Sequence, residues 1–327
     1  MPAPTTLTLD GDLARRLEEV PATAGVGQIL GPERRSLVIG RPSHLRRWAA
    51  SHLGAGKPRR PGARPPTDLR PVARTLEITV TTSGFHQRLV FERLMARHVP
   101  AAARRDLKPP AYLHLDPEER FPRVTVRPAA SDPAGLFGPF RNRGAAARAV
   151  AALHKVFPLR PCDYAFEPAG DLALGLGCVY AQVRTCAAPC LSRVTEEAYR
   201  GLAARAAQFL ARPDERPEEA RAWIPEWVTG AETRALVVET GTNGIEVYSV
   251  VAGEVLDQQA TTARGEDIEG VLDRLNWTGA SGSGHDRDWL AGWLYTPRRA
   301  GRYVVLDGDE NDSVLVRRVM AQAPSEI

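Results

Sequence analysis

Four cysteines, Cys162, Cys178, Cys186 and Cys190, are the only ones in 327 residues, and all fall within a stretch of 29. Scattered structural cysteines seldom cluster in this way. The spacing is C-x15-C-x7-C-x3-C. In a reducing compartment such thiols more often hold a metal than form disulfides. Thiolates are soft ligands, which leaves a structural Zn2+ or an iron–sulfur cluster. Only Cys186 and Cys190 approach the spacing of a zinc finger. His154, just upstream, reads as an exposed histidine on a basic helix rather than a further ligand. Four buried free thiols are the plainer alternative.

The compartment follows from the rest of the chain. Its first residues have no basic segment leading into an apolar core, and no run approaches the roughly 18 apolar residues of a membrane span. A cytoplasmic protein is expected. The net charge of +4 conceals a division. Residues 1–210 hold 31 Lys and Arg against 18 Asp and Glu, and residues 211–327 hold 12 against 21. Arginine-rich coding explains many arginines but not their segregation. A basic body suits a phosphate backbone, because each neutralised phosphate releases condensed counterions.

Hydrophobic periodicity predicts strands at 25–30, 36–40 and 75–81, with helices from Ser43, its expected N-cap, and across 87–98. Residues 54–70 form a basic Pro/Gly-rich loop. Short strands follow at 112–115 and 123–127, then helices at 143–157 and from Thr195 to about Leu210. Residues 211–229 read as a linker. Beyond it, three strand-like runs at 234–239, 244–251 and 254–260 form a β-meander. Helices at 267–275, 286–295 and 312–322 and a strand at 303–306 complete a small α+β unit, with Trp289, Trp293 and Tyr295 in its core.

The words around the cysteines carry a resemblance. FGPFRNRGAAARAVAALHKVFPLRPC at 137–162 and VYAQVRTCAAPC at 179–190 resemble the central region of the UvrC/Cho repair endonucleases. Arg105-Asp106-Leu107-Lys108 and Phe121-Pro122-Arg123 resemble a stretch just before it, so the likeness covers about residues 19–210. The gap between the first two cysteines is a few residues longer than in the family pattern. The resemblance implies a [4Fe–4S] cluster on the four cysteines, with Zn2+ as the alternative. It also implies DNA, damaged or distorted, as the partner.

The same family carries an N-terminal GIY-YIG nuclease, which hydrolyses phosphodiesters with a divalent metal, a tyrosine, an arginine and a glutamate. The words here depart from that pattern. The first reads Ala24-Gly25-Val26-Gly27, with glycine in the tyrosine position. The second, Leu37-Val38-Ile39-Gly40-Arg41, has Val38 in place of tyrosine, and Trp48 stands where the arginine belongs. In the third, Phe91 falls on the metal-holding position, and Glu92 lies one residue late, a turn of about 100° around a helix. Any surviving catalysis falls to Arg47 and Glu92, with Mg2+ or Mn2+. DNA contact does not need the lost groups. Residues 30–70 hold ten Arg or Lys against two acids. Arg41, Arg46, Arg47, Lys57, Arg59, Arg60 and Arg64 are the candidates for a backbone track, joined by Lys108 and Arg141.

The expected fold class is α/β (α+β) in three parts. A three-stranded GIY-YIG-like domain occupies 19–101, and a helical four-cysteine region occupies 102–210. An acidic α+β domain with the β-meander occupies 230–327. In UvrC this last place holds an RNase H-like nuclease. Glu239 and Asp307 are its best acid candidates here, but no paired carboxylates stand out, and an accessory domain is the expectation. The expected function is DNA binding in repair with an inert or feeble nuclease. The rivals are an active endonuclease with a diverged centre, and an adaptor whose acidic tail docks a protein partner.

Overall fold

In the computed structural model, the described residues are 3–54, 68–100, 111–116, 118–128, 135–170, 178–211, 233–242, 244–261, 268–280, 286–295, 302–306 and 312–322. Three antiparallel sheets organise them, in the mixed α/β class expected.

The first sheet contains β1 (Thr5–Thr8), β2 (Gly25–Leu30), β3 (Ser36–Gly40) and β4 (Thr75–Val80), in the order β1-β4-β2-β3. It therefore has four strands where the sequence suggested three. The added strand β1 and helix α1 (Leu13–Glu18) precede residue 19. Their short, weakly apolar runs gave no periodic signal. β2 is buried along its whole length, so both faces of the sheet are covered. Helix α2 (Leu45–Leu53) covers the face of Ile29, Leu76 and Ile78 with Leu45, Trp48, Ala49 and Leu53. His44, not Ser43, caps it, Nδ1 accepting from the Arg47 amide at 3.2 Å. Helix α3 (Gly84–His98) lies on the opposite face, with Val90 and Leu94 beside Val26, Gln28 and Leu30. The Ser83 hydroxyl caps it, accepting from the His86 amide at 3.1 Å.

The middle region also contains a sheet. β5 (Ala111–His114) lies between β6 (Thr125–Pro128) and β7 (Leu136–Phe140). β7 contains the FGPF word. Its Gly-Pro reads as a turn, yet Pro139 is tolerated because β7 is an edge strand that needs no donor there. Gly138 sits at φ 144°, open only to glycine. Helices α4 (Arg143–Val156) and α6 (Glu196–Ala211) close the core around Leu113, Phe140, Leu153 and Tyr199. Asn142 caps α4, its Oδ1 accepting from the Ala145 amide. The short α5 (Val179–Gln182) stands among the cysteines. Of the expected linker, only Ala211 is described, as the last residue of α6.

The C-terminal meander appears as β8 (Arg234–Gly241), β9 (Gly244–Val251) and β10 (Glu254–Thr261), with β11 (Tyr303–Leu306) beside β8. One face carries Leu236, Val238 and Val247 against α7 (Ile268–Arg274) and α9 (Asp312–Gln322). The other face carries Val237, Tyr248 and Val250. It is covered by α8 (Arg287–Leu294) and by Phe85 and Leu89 of α3. One helix thus serves two sheets. Trp289, Trp293 and Tyr295 lie in or against this core, as expected.

Candidate cysteine centre and nucleic-acid face

The segment carrying the thiols is tied down by the Phe-Pro-Leu-Arg word that introduces it. Leu159 is fully buried in the middle core. The next residue turns outward and grips the loop. The Arg160 guanidinium donates to the carbonyls of Phe121 (2.8 Å), Tyr164 (3.0 Å) and Cys162 (3.4 Å). Its amide donates to the buried Tyr199 hydroxyl at 2.7 Å, which donates in turn to the Pro122 carbonyl at 3.0 Å. A planar guanidinium with several donors can fix three carbonyls at once, and a lysine cannot.

The remaining cysteines are held by backbone. Cys178 precedes α5, its carbonyl accepting from Ala181 and Gln182. The Cys186 amide donates to Tyr180, and the Ala187 amide reaches back to Pro158 at 2.7 Å. Cys190 lies in a 3-10 turn whose flanking residues, Ala188 and Ser192, both adopt positive φ. Its carbonyl accepts from Ala169, which joins the last cysteine to the loop after the first.

All four are free thiols; Cys186 and Cys190 are buried, and Cys162 and Cys178 are half-buried. Burial pushes the Cys186 thiol up to about 11, and the fields of Cys162, Cys178 and Cys190 push the same way. Cys190 is raised by burial and then by Cys178 and Cys162. The four sulfurs therefore share one electrostatic neighbourhood. Among the described residues, no three Cys, His, Asp or Glu side chains are placed to ligate an ion as they stand. By donor chemistry the set fits a thiophilic metal or cluster, and ligation would require the thiols to lose their protons and draw together. His154 is buried at 7% exposure on the inner face of α4, which corrects the expectation of an exposed histidine.

The nuclease words map onto the first unit. Gly27 and Gly40 are register partners on β2 and β3, and the Trp48 indole lies over both. A Cβ on Gly27 would meet its ring at 2.2 Å, and one on Gly40 would meet Nε1 at 2.5 Å. One interlocking glycine–tryptophan contact thus occupies the places where the resemblance implied a tyrosine and an arginine. Arg47 is exposed on α2. Glu92 is buried on α3, paired with Arg88 at 2.5 Å, and lines a cleft toward Glu254 and Asn276 of the C-terminal unit. The two residues stand on helices covering opposite faces of the sheet.

The candidate DNA contacts are also placed. Arg46 spends its guanidinium on the carbonyls of Val20 (2.8 Å) and Glu18 (3.0 Å), fastening α1 to α2. Arg41 lies over the Phe91 ring, 5.4 Å from its centroid. Arg47 and Arg141 are exposed. Lys57, Arg59, Arg60, Arg64 and Lys108 lie outside the described residues, as does Asp307. Glu239 is buried and paired with Arg302 at 2.7 Å.

Comparison with known proteins bears on the middle region. Residues 111–209 match the family described as UvrC/Cho excinuclease, middle domain. Over this stretch the chain is similar to the UvrC/Cho family. It is 33% identical over 200 residues to the UvrABC system protein C of Geobacter metallireducens, covering 60% of this chain and 31% of the relative. The protein of the same name from Sphingopyxis alaskensis is also 33% identical over 200 residues, covering 59% and 29%. That of Rhodopseudomonas palustris is 27% identical over 210 residues, covering 61% and 27%. The match spans about a third of the length of these UvrC-like relatives or less. No solved structure matches. Among the described residues, no helix is long and apolar enough to cross a membrane.

Proposed function

We propose that this UvrC-like chain is a cytoplasmic DNA-binding protein of nucleotide excision repair whose nuclease-like first unit does not cut. Trp48 carries that reading. Its indole fills the space above Gly27 and Gly40, and the resemblance would place a tyrosine at Gly27 and an arginine at Trp48 itself. A phosphodiester transition state needs charge stabilisation there, and losing one such group typically costs about 10²–10³ in rate. Here several are missing, and Glu92 is neutralised by Arg88.

DNA engagement is supported by the UvrC/Cho middle-domain match, by relatives named UvrABC system protein C and by the basic body of residues 1–210. Damaged or distorted duplex is the proposed target. Cys162, Cys178, Cys186 and Cys190 would hold a [4Fe–4S] cluster, with Zn2+ as the alternative, and the group would serve as a structural staple. The acidic C-terminal unit would offer a basic protein partner a docking face.

A supercoiled plasmid incubated with Mg2+ or Mn2+ tests the reading. The expected result is a gel shift without nicking. Nicking that disappears in Glu92→Ala would replace this proposal with a diverged endonuclease.

A further inference from the structure

The far face of the first sheet holds a cavity of about 340 Å³ between β2, β4 and α3. Gln28, at 1% exposure, lines it. Among the described residues, neither its Oε1 nor its Nε2 has a hydrogen-bond partner. Buried side-chain amides in folded proteins are nearly always paired. An amide with both ends unsatisfied beside an open cavity is a recognition group without its ligand. We infer that this cavity binds a nucleotide, with the base edge against the Gln28 amide.

The surroundings select that chemistry. Val26 and Leu30 from the strand face Val90 and Leu94 from the helix, an apolar slot suited to a flat ring. At its end, Gln28 offers one donor and one acceptor side by side, the pair with which Gln and Asn read adenine. Glu77, the cross-strand neighbour of Gln28, is already paired with Arg34, so it presents little free negative charge. Exposed Arg97 at the rim would take a phosphate. The volume lies within the range of small-ligand pockets. A nucleotide has two sources, a free mononucleotide or a base swung out of DNA, which costs least where the strand is damaged or single. The inference stands on the cavity and does not require the DNA-binding reading.

Calorimetric titration of the full chain tests it, using the four 5′-mononucleotides, a short single-stranded oligonucleotide and its matched duplex. At least one mononucleotide or the single strand is expected to bind. Gln28→Leu should weaken that binding at least about tenfold without lowering Tm, since it removes an unpaired amide. Leu94→Phe, which fills the slot from the helix side, should block the same binding if Gln28→Leu fails to fold. Binding of the oligonucleotide alone assigns the pocket to an unstacked base, and binding of a mononucleotide assigns it to the free ligand. Absence of both, or equal affinity in the folded variants, would overturn the inference and mark the cavity as water-filled. Duplex binding through the basic body would be untouched by that failure.

Discussion

Trp48 is a packing residue of the first unit. It is 8% exposed and lies against two glycines whose missing side chains make its room. Trp48→Ala should cost about 3–5 kcal/mol, the usual range for removing a buried aromatic, measured by urea denaturation. On the proposed reading, Trp48→Arg should not nick a plasmid in Mg2+ or Mn2+, because Gly27 still offers no tyrosine. A second residue-scale prediction concerns acid. His86 is 3% exposed, and burial holds its pKa below the ordinary 6.5, partly opposed by Glu246. His154 is lowered by burial alone. For each, the unfolded chain takes up a proton that the folded chain refuses. Stability should be full above about pH 6.5 and fall below it, and His86→Asn should flatten part of that slope in pH-dependent melting. At this scale the sequence was only partly legible. It located Glu92 and Trp48 on helices, but spacing along one helix does not say which neighbour each face meets.

Helix α3 is the element that joins the molecule. Val90 and Leu94 face the first sheet, while Phe85 and Leu89 enter the core of the C-terminal sheet. Phe85 packs against Tyr248 at 4.6 Å and Trp289 at 5.3 Å between ring centroids. Arg93 adds bonds to the Val255 carbonyl and to Asp286. Phe85→Ala should therefore cost about 3–5 kcal/mol and lower the melting of both units together, as followed by calorimetry. The elements themselves were largely readable: β2, β3 and β9 begin and end where periodicity placed them. β7 escaped because a Gly-Pro pair signals a turn unless the strand lies at an edge. The sharing of α3 escaped because an apolar helix face looks the same whichever sheet it meets.

For the whole molecule, the division of charge meets the division of structure. The acidic C-terminal unit is fastened to the basic body through α3, so it is no detachable tail. Truncation after residue 232 should expose Phe85 and Leu89 and produce aggregation, measurable by light scattering. Duplex affinity of the intact chain should fall steeply with salt, and a flat profile would remove the phosphate track from the account. The middle region was legible because its signal is local: the words that surround the four thiols lie within the stretch that matches the UvrC/Cho middle domain. The Arg160 clamp behind it was not, since its carbonyl partners lie up to 39 residues away. Iron and inorganic sulfide analysis of the full chain purified without oxygen tests the centre of this account most directly. About four of each per chain, lost in Cys186→Ser, is the predicted result. A folded, metal-free protein with four reactive thiols would contradict it.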